Sequence, residues 1–205
     1  MAFGSLFSIV DPFGLIPTFL HLTKDYSIVE KRHVIKKAAF FSLVFLTLFA
    51  FIGQAVLSYF GVSLAALKIT GGILIFLIAF EMIQGKISHV EKSENVENQL
   101  SKRQEKLHEI AIVPLTIPLI TGPGALSTVV ILMAQAEHLV LKLELILAIF
   151  LVIISTYCIL RIASRLEQRI GKIGINVLTK LMGLILISIS VQMLIDGIAM
   201  VVNSL

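Results

Sequence analysis

Two stretches of this 205-residue chain run without a charge for longer than a bilayer is thick. Ala38–Leu67 holds 30 consecutive uncharged residues and Ile110–Ala136 holds 27. About 20 suffice for a helix to cross the hydrocarbon core. Because backbone groups find no water there, such runs must be spanning helices, which satisfy their own hydrogen bonds. Apolar residues make up 57% of the chain and charged residues 15%, against ~25% charged in a soluble domain. The expected product is an all-α integral membrane protein occupying 1–205 as one membrane domain, with no room for a separate soluble unit.

Spans are expected at 2–22, 38–57, 64–84, 110–134, 141–160 and 178–202. The second boundary rests on the short turn Ser58-Tyr59-Phe60-Gly61 within 47 residues from Ala38 to Gln84. Two spans need ~40, which favours a hairpin over one bent helix. Basic residues sort the connections. Segment 23–37, segment 85–109 and segment 161–180 carry five each, whereas the opposite side has only Lys68 and Lys142. The positive-inside rule then places loops 1, 3 and 5 in the cytoplasm and both termini outside. The net charge of +4 therefore reports orientation, and no nucleic-acid partner is expected. "SIVE" (Ser27–Glu30) predicts a capping box, and Arg161, Arg165 and Arg169 predict a helical extension of the fifth span. The N-terminus has no basic region or cleavage site and is expected to be the first span.

All five prolines fall in two spans: Pro12 and Pro17 in the first, Pro114, Pro118 and Pro123 in the fourth. Proline removes a helix hydrogen bond and clashes with the preceding turn, so both spans should break. "VDPFGLIPTFL" (10–20) aligns with "ITGPGALSTVV" (120–130) at an offset of 110, pairing Gly14 with Gly124 and Thr18 with Thr128. "GILIFLIAFEM" (72–82) aligns with "GLILISISVQM" (183–193) at 111, pairing Gly72 with Gly183 and Glu81 with Gln192. Repeat one would cover about 1–85, a cytoplasmic linker 86–109, and repeat two 110–203. An odd number of spans per repeat inverts the second, a pattern shared with secondary transporters.

Residues 2–10 rise ~13.5 Å as a helix, about half of a ~30 Å core. Asp11 thus lies near the bilayer centre, and Gly122–Gly124 at similar depth. Asp11 fits an N-cap with Pro12 at N1, and Gly122-Pro123 repeats that arrangement. Two half-helix N-termini facing one another would favour a carboxylate, and Asp11 would meet an ammonium group. An amino-acid zwitterion needs both. The bland alternative is that Asp11 only caps and the prolines only kink. Candidate substrate contacts are Asp11, Pro12, Gly14, Thr18, Thr121, Gly122, Pro123, Gly124 and Thr128. Asp11 and Glu81 are the coupling-ion candidates. Thr18 and Thr128 also suit bonding to their own helix backbone.

The five histidines lie at or outside span ends without metal-ligand spacing, and the single Cys158 precludes an internal disulfide or a Cys-rich metal site. No metal or cofactor is expected. There is no P-loop, no H-E-x-x-H and no Gly-x-Ser-x-Gly, so no enzyme is expected either.

"DPFGLIP" and "IPLITGPGALSTVV" resemble the MarC/SnatA family of bacterial and archaeal inner-membrane proteins, within the LysE-like transporter superfamily. The resemblance covers essentially the whole chain. It implies six spans in the cytoplasmic membrane and proton-driven transport of small neutral amino acids such as glycine or alanine. By position it points to Asp11, Pro12 and Gly14, and to Thr121, Gly122, Pro123 and Gly124; many relatives have Asn in place of Asp11. A channel or a drug/metabolite exporter on the same scaffold is the competing expectation. The expected partners are a small solute and lipid.

Overall fold

The computed structural model describes residues 2–24, 26–84, 107 and 110–202. Among them every regular element is helical: α1 (Ala2–Val10), α2 (Leu15–Leu22), α3 (Ile28–Tyr59), α4 (Leu64–Gln84), α5 (Ala111–Ile120), α6 (Pro123–Gln135) and α7 (Leu139–Val202). Four stretches are long and apolar enough to span a membrane alone: α3, α4, and Leu139–Arg165 and Thr179–Val202 within α7. The bent pairs α1–α2 and α5–α6 raise the number to six if each pair is one span. The linker expected at 86–109 lies outside the described residues apart from Leu107.

The capping box starts α3 as the sequence predicts. The Ser27 hydroxyl accepts from the Glu30 N–H at 3.3 Å, and the Glu30 carboxylate accepts from the Ser27 N–H at 2.7 Å. At the other end Gly61 adopts φ +63°. That left-handed residue lets the Val62 N–H donate to the Leu57 carbonyl at 2.9 Å, which closes the helix C-terminus. Ser63 then caps α4 by accepting from the Ala66 N–H at 3.0 Å. The segment is a helical hairpin rather than one bent helix.

The extension of the fifth span that Arg161, Arg165 and Arg169 predict is present, and the backbone stays helical through 161–177, a segment without proline. Leu139–Arg165 and Thr179–Val202 are nonetheless two spans. They run in opposite directions, because Ala134 shares a cavity with Gly61 and Gly197 lies against Ala65, both at the α3–α4 turn.

Helix packing uses small residues. Ala65, Gly72 and Ala79 of α4 recur every seventh residue, as do Gly183, Ser190 and Gly197 of α7. The two sets meet antiparallel. A Cβ on Gly72 would stand 2.9 Å from the Ser190 carbonyl oxygen, one on Gly183 3.1 Å from that of Ala79, and one on Gly197 3.2 Å from that of Ala65. Without a hydrophobic drive between helices in lipid, such close approach supplies the attraction through van der Waals contact. Toward one end, Lys68 Nζ lies 4.0 Å from Asp196 Oδ2, and Gln192 donates to Asp196 Oδ1 at 2.7 Å.

A single contiguous core joins the remaining elements. It includes Leu6 and Val10 of α1, Phe19 and Leu20 of α2, Ala38 and Leu46 of α3, Leu115 of α5, Val129 of α6, and Ile149 and Val152 of α7. In contrast, only 11% of the most apolar window of Thr179–Val202 is buried, which leaves its sides facing lipid.

Candidate functional site

Both proline-bearing spans are broken. α1 and α2 meet at 43° across Asp11–Gly14, and α5 and α6 meet at 58° across Thr121–Gly122. The two bends touch: Ile9, at the end of α1, places its Cγ2 3.1 Å from where a Cβ on Gly124 would stand. α6 also packs on α4, where the Pro123 ring occupies the space of a Cβ on Gly71. Three elements thus converge on the first turn of α6.

The prolines act beyond the bend as well. Residues preceding proline are pushed toward extended backbone, and Val113 (φ −127°, ψ 120°) and Ile117 (φ −115°, ψ 121°) interrupt α5 accordingly. The peptide bonds Val113–Pro114 and Ile117–Pro118 are cis. α5 is therefore a loosely wound segment, held by Thr121 N–H and Oγ1, which donate to the Thr116 carbonyl at 2.9 and 3.0 Å. The Thr116 hydroxyl donates to Ala111 at 2.7 Å and lies 3.3 Å from the Ala38 carbonyl of α3.

The two half-helix starts are not equivalent. Asp11 sits at φ +42°, a left-handed conformation that Asp and Asn tolerate best among residues with a Cβ. From there its Oδ1 accepts the Gly14 N–H at 3.1 Å and its carbonyl accepts the Leu15 N–H at 3.2 Å. The Ile16 N–H donates to Phe13 at 3.1 Å, and Pro17 has none to offer. The first donors of α2 are consequently all engaged. Asp11 was expected to be the N-cap of that half-helix. Instead it caps the turn that precedes α2, and Gly14 is the residue before the helix.

α6 is different. Gly122 is its N-cap, in extended conformation (φ −56°, ψ 166°), with no capping side chain and with Pro123 at N1, as the sequence predicts. Pro123 has no N–H, and the N–H groups of Gly124 and Ala125 have no intrahelical acceptor in the first turn. Two donors and the positive end of the helix dipole therefore stand at the junction of α1, α4 and α6. Asp11 is exposed, and the bend that holds it touches the first turn of α6 through Ile9 and Gly124.

The other candidates divide clearly. Pro12 is buried and Gly14 half-buried within the α1–α2 turn. The Thr18 hydroxyl donates to Met82 Sδ at 3.6 Å and ties α2 to α4. Thr128 donates to the Gly124 carbonyl of its own helix at 2.8 Å. Glu81 is exposed in the last turn of α4, ten residues or ~15 Å of rise from Gly71. It does not join the bends. Ser42 and Ser127, which the sequence reading did not single out, are buried hydroxyls without a hydrogen-bond partner. Ser127 adjoins Thr128 in the second motif, but only Thr128 has a counterpart in the first.

Comparison with known proteins covers the same length. The family model described as "MarC family integral membrane protein" matches residues 1–202. A UPF0056 membrane protein of Methanocaldococcus jannaschii is 40% identical over 198 residues, 97% of this chain and 94% of its own. One from Aquifex aeolicus is 35% identical over 197 residues, covering 96% and 90%. The UPF0056 membrane protein YvbG of Bacillus subtilis is 35% identical over 196 residues, covering 96% and 92%. No solved structure matches the chain.

Proposed function

Because this chain belongs to the MarC family of integral membrane proteins, we propose that it is a secondary transporter of small neutral amino acids across the cytoplasmic membrane. The observation that carries this reading is the contact between the two bends, one holding the exposed Asp11 and the other the uncapped first turn of α6. Irregular backbone at membrane depth belongs where protein or a wet cavity surrounds it. A carboxylate on one bend and a helix N-terminus on the bend it touches suit the ammonium and carboxylate of one zwitterion. Glycine at 124 lets Ile9 of the first bend come close to the α6 backbone, which keeps the two bends together.

The reading includes six spans in two inverted repeats. Supporting it, the contact of Gly72 with Ser190 and that of Ala79 with Gly183 are one contact seen twice, since a shift of 111 carries 72 to 183 and 79 to 190. Likewise α3 packs on α5 and α6 while α7 packs on α1 and α2. Symmetry of this kind lets one scaffold open to either side by exchanging the conformations of its halves. Proton coupling through Asp11, external termini and cytoplasmic loops 1, 3 and 5 complete the proposal.

Counterflow is the decisive test. Purified protein in liposomes loaded with unlabelled alanine should take up labelled alanine transiently above its equilibrium level. A channel shows no such trans-acceleration, and uptake indifferent to internal alanine and glycine would sink the carrier reading. Orientation has its own check: a reporter fused after Leu205 should be external, and a cytoplasmic signal would reverse the assignment.

A further inference from the structure

On the side of the α3–α4 turn, a cavity of about 380 Å³ opens between the ends of α3, α4 and α6. Gln54 and Ser58 of α3 and Ser63 before α4 give it a polar rim, and Val130 and Ala134 of α6 form one wall. That wall belongs to the helix whose first turn lies at the two bends. Residues 123, 127, 130 and 134 are spaced four, three and four apart and so share one face of that helix. Exposure falls along the stripe. Ala134 is exposed, Val130 retains 6% and Ser127 4%, and Pro123 is buried against Gly71.

Ser127 stands one turn beyond Val130, with an unpartnered hydroxyl. A serine inside a helix ordinarily donates to the carbonyl four residues back. Here that bond is not made, and leaving a buried hydroxyl unpaired costs on the order of 1–3 kcal/mol. Because Cα–Cβ bonds tilt toward the helix N-terminus, the hydroxyl leans toward the turn holding the free N–H groups of Gly124 and Ala125. Between it and the cavity on this face of α6 stands Val130, which lines the cavity and has its Cγ2 2.6 Å from the position of a Cβ on Gly53. Glycine at 53 is what lets that valine close down on the α3 backbone.

We propose that this cavity is the aqueous mouth of the solute pathway, that the Val130–Gly53 contact is its closure, and that the Ser127 hydroxyl is the first polar group the solute meets behind it. The inference rests on the transport reading and adds to it a route and a residue. From the mouth to the start of α6 the path is short: seven residues from Val130 to Pro123, ~10 Å of rise. A hydroxyl at its midpoint can replace water around a carboxylate or ammonium group as the solute passes to the helix N-terminus.

Thiol accessibility tests the route without any assumption about the substrate. In a Cys158→Ser background reconstituted in liposomes, a membrane-impermeant trimethylammonium methanethiosulfonate is added to the side of the α3–α4 turn. Only the thiolate reacts, and a thiol facing hydrocarbon stays protonated, so Ala134→Cys should label at least ~10-fold faster than the lipid-facing control Leu77→Cys. Ser127→Cys should label at an intermediate rate, and several-fold faster when Val130→Ala is added. Labelling of Ser127→Cys as slow as Leu77→Cys with either residue at 130 overturns the proposal. If Ser127→Cys does not yield monodisperse protein, Val130→Cys replaces it, with labelling near the Ala134→Cys rate expected and the Leu77→Cys rate overturning. L-alanine should slow labelling of Ser127→Cys and leave Ala134→Cys unchanged. Labelling without protection upholds the route and counts against the amino-acid reading alone.

Discussion

Gly71→Val is expected to abolish uptake and to lower the melting temperature by about 5–10 °C, the largest structural effect of any single substitution in the α4–α6 contact. A Cβ at 71 would occupy the space of the Pro123 ring. Overpacking a filled site costs about 1–3 kcal/mol, occasionally more. Relief through a new rotamer is not available, because the obstructing atoms belong to a ring fused to the backbone at N1 of α6. Either α4 withdraws from α6, or the first turn of α6 rotates and carries the Gly124 and Ala125 donors with it. At ~2–4 °C per kcal/mol for a chain of this size, the predicted shift is readily seen by thermal melting in detergent. Gly4→Ala is the matched control, since a Cβ there meets nothing within 4 Å. A Gly71→Val protein that melts with its parent and transports normally would show that the α4–α6 contact is dispensable.

Asp11→Asn is expected to stay folded and lose most of its uptake, by ~10-fold or more, whereas Asp11→Ala should lose stability as well. Asn tolerates the left-handed φ of +42° and its amide oxygen can accept the Gly14 N–H, so it caps about as well as Asp. Ala supplies no acceptor and is strained at that φ, for a combined cost of about 2–3 kcal/mol. What Asn lacks is charge. An Asp at the bilayer centre is disfavoured by ~3 kcal/mol on the insertion scale, and a ligand ammonium or a transported proton would offset that. Pairing the two variants separates the roles. Loss of both pH-driven uptake and alanine binding in the folded Asn protein identifies the carboxylate as a ligand or proton site. Full activity of Asn together with instability of Ala would reduce Asp11 to a cap and leave the α6 donors as the recognition element.

The breaks and the hairpin were legible because their causes act within a few residues. Pro123 needs no distant partner to begin a helix, and Gly61 needs none to end one. Even so, the inverted alignment implied two equal half-helix starts, and they differ. The donors of α2 are consumed by Asp11 and Phe13, while the first turn of α6 has no capping side chain. The alignment could not show this, because it paired residue types and not the left-handed backbone of Asp11.

By itself, then, the sequence determined the membrane character, the helical hairpin at Gly61 and the placement of both bends. Each follows from local chemistry: uncharged length against bilayer thickness, the missing N–H of proline, the absent Cβ of glycine. Only the tertiary structure decided that Gly71 meets Pro123, that Ile9 meets Gly124, that Ser127 is left without a partner, and that a cavity ends one turn above it. Those facts depend on how far one helix slides along and rotates about another. Many apolar surfaces of similar shape satisfy that requirement nearly equally in lipid, where close packing rather than water exclusion selects the register.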